Sequence, residues 1–236
     1  MMFVTFVLSA FAGTPVVADR PIVATAAASG TSAAPSIPYT RYELPNGLQV
    51  ILVEDHRLPQ VVVDTWYRVG SKDEAPGRSG FAHMFEHLMF MGTFRLPGGG
   101  FDQMMESHGG WNNAWTMEDA TNYYDVGPPN LLETFLWMEA DRVQQLGQAP
   151  NQEKLDLQRE VVRTERRQTS EDRPYGMVEI EVTTAMYPAG HPYAHSVIGS
   201  HEDLQAASVA DVQGFFATWY VPNNASLVVA GDFNRN

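Results

Sequence analysis

Tyr39–Ser71 reads YTRYELPNGLQVILVEDHRLPQVVVDTWYRVGS, and this stretch decides the architecture. Two short alternating runs flank Asn46-Gly47, a pair that tolerates the positive φ of a tight turn, so the spacing predicts a β-hairpin. The run QVVVDTWYRVGS from Gln60 predicts a third strand. Downstream the period changes. Helices are predicted over Ser79–Met91 and, after the turn LPGGG at Leu96–Gly100, over a short segment ending at His108-Gly109-Gly110. WNNAWTM and TNYYDVG read as strands, Pro129–Gln145, Asn151–Ser170, Pro174–Tyr187 and Val209–Tyr220 as helices, and ASLVVAGDF as a buried strand. Strands first, then helices, then a returning strand predict an α+β fold with a mainly antiparallel sheet covered by helices.

Upstream of the hairpin the composition changes. Residues 22–38 are small, polar and Pro-bearing, too poor in apolar surface to order themselves. The initial run MMFVTFVLSAFA is too short to span a bilayer, and Ala10-Phe11-Ala12 has the form of a signal-peptidase site. We read residues 1–18 as a signal peptide, cut after Ala12 or Ala18, with export to the periplasm or the exterior; residues 19–38 as a disordered linker; and 39–236 as one folded unit. The absence of Lys or Arg before Arg20 leaves a misassigned start as the other reading. The last strand is followed directly by Asn234-Arg235-Asn236, which reads as a truncated unit.

The 236 residues are 44% hydrophobic, enough for a substantial core, and carry a formal charge of -13. That charge argues against nucleic-acid binding, which needs a surplus of Lys and Arg at the phosphates. Cysteine is absent, so there is no disulfide, no thiolate metal site and no cysteine nucleophile. A metal would have to sit on His and carboxylate.

Gly80–Thr93, GFAHMFEHLMFMGT, supplies them. On a helix His83, Glu86 and His87 share one face, opposed to the stripe of Met84, Phe85 and Leu88. Such a face is either solvated or metal-binding. Phe90 among the polar residues speaks against the first, and His-x-x-Glu-His is an inverted zinc-peptidase motif. Zinc held by two imidazoles needs a third protein ligand and an open position for water. On the helix LQREVVRTERRQ, Leu155, Leu157, Val161 and Val162 define an apolar stripe with Glu165 in its middle. A carboxylate there needs a partner. Arg163, Arg166 and Arg167 fall on other faces, which leaves metal or a basic residue from elsewhere; Glu160 points away.

These residues resemble the pitrilysin family of zinc metallopeptidases, which includes insulin-degrading enzyme and the mitochondrial processing peptidase. The resemblance runs through YELPNGLQVILVED, GFAHMFEHLMFMGT, GGWNNAWTMEDATNYY, QREVVRTERRQ, HPYAHSVIGS and YVPNNASLVVAGDF, nearly the whole chain after the linker. It implies one zinc ion on His83, His87 and Glu165, with Glu86 as general base. Many relatives have a second glutamate where this chain has Gln158, whose amide can orient a ligand but not take a proton. It also implies that an extended peptide is gripped by strand addition along Asn112, Asn113, Ala114, Trp115 and Thr116, although an ordinary structural strand fits the same residues.

The expected activity is therefore zinc-dependent hydrolysis of peptides or small proteins. Members of the family combine two or four such units, so a second pitrilysin-like unit or homologous subunit is the expected partner, and a non-catalytic half-site that binds peptide is the alternative. S-ribosylhomocysteine lyases share the inverted motif by resemblance but use cysteine, which this chain lacks. His191, His195 and His201 read as local packing with a helix start near Ser200, not as a second metal site.

Overall fold

The computed structural model describes residues 36–145 and 151–235. Residues 1–18, read as a signal peptide, and nearly all of 19–38, read as a linker, lie outside the described residues. Among the described residues six strands form one sheet: β1 (Thr40–Glu43), β2 (Gln49–Glu54), β3 (Val61–Tyr67), β4 (Trp111–Thr116), β5 (Thr121–Gly127) and β6 (Ala225–Gly231), in the order β1-β2-β6-β3-β5-β4. Every pairing is antiparallel except β2 with β6. The hairpin around Asn46-Gly47 forms as expected, but its loop runs from Leu44 to Leu48 and Asn46 Oδ1 accepts from Leu48 N at 3.2 Å. Gly47 has φ +85°, and a Cβ there would lie 2.6 Å from Asn223 Cβ.

The third strand does not follow the hairpin in space. β6 slides between β2 and β3, and its apolar sequence, ASLVVAG, suits a central position bonded on both sides. On β3, Val61, Val63, Thr65 and Tyr67 are buried and alternate with half-buried residues, the pattern of a sheet with one face packed on a core.

Among the described residues, seven α-helices accompany the sheet: α1 (Phe81–Leu88), α2 (Gly100–Glu106), α3 (Leu132–Gln145), α4 (Gln152–Arg166), α5 (Val178–Met186), α6 (His201–Ala206) and α7 (Val209–Trp219). The core joins Met84, Phe85 and Leu88 of α1 to Phe135 and Met138 of α3, Leu155 and Val162 of α4, and Tyr67, Tyr123 and Tyr220. Asn151, Ser200 and Ser208 cap α4, α6 and α7 through their side chains, as the sequence at those positions favours. Several helices are shorter than expected; α3 begins at Leu132 rather than Pro129 and α5 at Val178 rather than Pro174. α1 starts only after Gly80, at φ +88°, and α4 ends at Arg166 in a wide π turn over Arg167–Glu171. No helix among the described residues is long and apolar enough to cross a membrane.

Candidate metal centre

α1 carries His83, Glu86 and His87, and the core packing of Met84, Phe85 and Leu88 fixes which way they face. The face is not solvated: Glu86 is only 9% exposed. α4 brings Glu165 to the two imidazoles. His83 Nε2 and His87 Nε2 are 3.3 Å apart, Glu165 Oε2 is 3.3 Å from His87 Nε2, and Glu165 Oε1 is 3.7 Å from His83 Nε2. Bonds of about 2.0–2.1 Å at tetrahedral angles imply donor separations of about 3.3–3.4 Å. Two imidazole nitrogens and one carboxylate at these spacings fit a zinc ion with one position left open. They are the one such group among the described residues.

The electrostatics agree with that fit. Burial, and then the neighbouring His87, push the His83 imidazole down to about 4, so it is neutral and able to donate a lone pair. The hydrogen-bonding contact with His87 holds the Glu165 carboxyl below its usual range, against the opposing effect of burial. Burial raises Glu86, and a hydrogen bond from Thr116 Oγ1 to Glu86 Oε2 at 2.5 Å opposes the rise.

The other expected site residues fall as follows. Asn112, Asn113, Ala114, Trp115 and Thr116 lie on β4, the edge strand of the sheet, so one side of its backbone is unpaired within the sheet. Thr116 does something the sequence did not announce: it holds Glu86. Gln158 is buried, and its Nε2 contacts Met91 Sδ at 2.6 Å; its hydrogen bonding does not reach His83, His87 or Glu165. His191 stacks on Tyr187, His195 lies 3.6 Å from Glu74, and His201 pairs with Glu171 at 3.0 Å, so these three histidines do not converge.

Glu165 does not lie in the middle of a buried apolar stripe. The buried residues of α4 are Leu155, Gln158, Arg159 and Val162, while Leu157 and Val161 are exposed, so the buried face is turned away from the stripe inferred from hydrophobicity. Glu165 sits at its edge with a side chain 37% exposed. Arg159, a residue the sequence reading passed over, occupies the buried face and donates to the carbonyls of Leu204 and Ala207.

α1 has no capping side chain of its own, since its N-cap is Gly80. Two carboxylates from elsewhere serve its start. Glu74 accepts from Gly80 N at 3.0 Å and Ala82 N at 2.7 Å, and Asp203 accepts from Ser79 N at 3.0 Å and Ser79 Oγ at 2.5 Å. Burial pushes Glu74 up to about 8 against the pull of those backbone donors. No local rule would have found either residue, because cap rules look within three residues of the helix start.

Comparison with known proteins places these features. Residues 49–200 match the profile described as Insulinase (Peptidase family M16). The zinc protease PqqE of Helicobacter pylori is 35% identical over 192 residues, covering 81% of this chain and 43% of the relative. The crystal structure of a protease from Helicobacter pylori superposes with a TM-score of 0.77 at 34% identity, covering 84% of this chain and 47% of that one. The first half of the periplasmic protease PqqL from Escherichia coli gives 0.71 at 24% identity, covering 84% and 43%, which shows likeness of fold. The chain spans about half the length of the curated relatives it matches.

Proposed function

The chain belongs to the insulinase family of peptidases, family M16, and from that premise we propose that it is the metal-bearing unit of a zinc-dependent endopeptidase acting on extended peptides. One observation carries the reading: His83, His87 and Glu165 present three donors at zinc-like spacing beside a buried carboxylate, Glu86, that is not itself one of the three.

One zinc ion per chain, when bound, supplies a Lewis acid that lowers the pKa of a coordinated water and polarises the scissile carbonyl. Glu86 would take a proton from the attacking water as its oxygen bonds to the scissile carbon, and would pass that proton to the leaving amine as the C–N bond breaks. Its burial raises its proton affinity above that of an ordinary carboxylate, toward the working pH where a general base is most effective. Thr116 fixes one carboxylate oxygen, so the other is left for the water. The free edge of β4 offers main-chain donors and acceptors to an extended substrate, a mode that reads backbone rather than side chains and presents the scissile amide in a defined pose.

The chain covers 43% of PqqE, which supports a second, homologous unit as its partner in closing over the substrate. It equally supports the alternative of a half-site that binds peptide and needs that unit for turnover. Export to the periplasm is proposed from the apolar N-terminal run and from the likeness to periplasmic PqqL.

The test is cleavage of a mixed peptide pool by the purified chain, with and without chelator, beside Glu86→Gln. Chelator-sensitive cleavage that Glu86→Gln abolishes while retaining zinc is expected of a self-sufficient peptidase. Bound zinc without cleavage selects the half-site, and loss of zinc from Glu86→Gln overturns the assignment of Glu86 as base.

A further inference from the structure

We propose that Glu74 is a positioning residue for the metal: a buried side chain that caps the first turn of α1 from outside the helix and thereby sets His83 against His87 and Glu165. The inference rests on the zinc reading above.

α1 has only eight residues, fewer than an isolated helix needs to persist in water, so its place depends on what holds its ends. The first N–H groups of any helix lack intrahelical partners. Here the N-cap is a glycine in the left-handed region and offers no side-chain acceptor. Glu74 fills that role from six residues upstream: its two oxygens accept from Gly80 N and Ala82 N, and its side chain is fully buried. Ala82 is the residue before His83, so the carboxyl grips the backbone one peptide from a ligand. The opposite side of the turn is closed by the Ile198–Gly199 loop, since a Cβ on Gly80 would meet Ile198 O at 2.7 Å and Gly199 Cα at 2.9 Å.

The start of α1 is thus pinned from two sides, and the donor spacings it delivers, 3.3 to 3.7 Å, leave little slack. Sites of this kind tolerate displacement of only about 0.5 Å before function falls. A fully buried carboxyl is costly to keep without a role. An ordinary N-cap residue at position 80 would serve the helix alone, but the left-handed turn and the close approach of the loop demand glycine there. The cap has to come from a distance.

Glu74→Gln preserves shape but turns an NH2 group against one of the two amides. Zinc affinity of the purified full chain is to be measured by competition with a chromophoric chelator, with the Co2+ absorption spectrum as a report on ligand geometry. Glu74→Gln is expected to weaken zinc binding about 10- to 100-fold, as removal of supporting groups around metal sites does, and to alter the Co2+ spectrum. Glu74→Asp, a shorter acceptor, is expected to restore part of both, and it supplies the reading should Glu74→Gln fail to fold. Ser208→Ala removes a helix cap on α7, an element that carries none of the three donors, and serves as a control for lost stability; it is expected to bind zinc as the wild type does.

Wild-type zinc affinity and an unchanged Co2+ spectrum in both Glu74 variants overturn the proposal, as does an equal loss of affinity in Ser208→Ala. A wild-type chain that binds no zinc removes the metal reading itself, and the role of Glu74 with it.

Discussion

The two helices that bring the donors together are built in opposite ways. α1 is enclosed: Phe81, Ala82, Met84, Phe85, Glu86 and Leu88 are buried, its first turn is held by Glu74, and its carboxylate by Thr116. α4 lies at the surface along the same length that carries its donor, with Leu157 and Val161 exposed and Glu165 in the last turn before the backbone widens into a π turn. A pair of imidazoles preset by the core meets a carboxylate that reaches in from the solvent edge. On the proposed function, the base lies on the enclosed helix and the third metal ligand on the accessible one.

The sharpest way to break this comparison is to remove the base from the enclosed helix. Glu86→Gln should lower kcat by about 10²- to 10⁴-fold, the usual contribution of a general base, with zinc content unchanged by metal analysis. Next comes the accessible helix. Glu165→Gln keeps size and leaves the fold intact, yet it should weaken zinc at least about 100-fold, since even supporting groups around a metal cost 10- to 100-fold. Zinc held as tightly in Glu165→Gln as in the wild type would place the third ligand elsewhere.

A smaller effect is expected where β4 touches the enclosed helix. Thr116→Val removes the hydrogen bond to Glu86, worth about 1.5 kcal/mol for a charged acceptor, so kcat should fall about tenfold. The sign of the pH effect follows from the bond. It favours ionised Glu86 and holds its pKa down, so without it the pKa rises, and the acid limb of the kcat profile should move to higher pH. A limb that stays in place would mean that Thr116 supports β4 and not the base.

The same contrast explains what the sequence could reveal. The α+β class, the hairpin, the zinc helix and the order of the helices were legible because each rests on local period, turn residues or a short motif. The insertion of β6 between β2 and β3 was not, since strand order is set by which faces must be buried far apart in the chain. His83, Glu86 and His87 were legible from one turn and a half of helix. The hydrophobic stripe that points to Glu165 is only half buried, at Leu155 and Val162, and the approach of Glu165 to the histidines comes from tertiary packing of α4 against α1. Glu74 and the grip of Thr116 on Glu86 had no local signal, because each acts on a helix from another part of the chain.

The smallest effect tests the accessible helix most directly. Leu155 and Leu157 are two residues apart on α4 and alike in hydrophobicity, but Leu155 is fully buried and Leu157 is 53% exposed. Leu155→Ala should cost about 2–5 kcal/mol in chemical denaturation, the range for a leucine removed from a packed core. Leu157→Ala should stay within about 0.5 kcal/mol, as surface substitutions do. A loss of stability in Leu157→Ala alone would instead turn α4 back toward the orientation that its hydrophobic stripe predicts, and would bring Glu165 to the metal from a buried face.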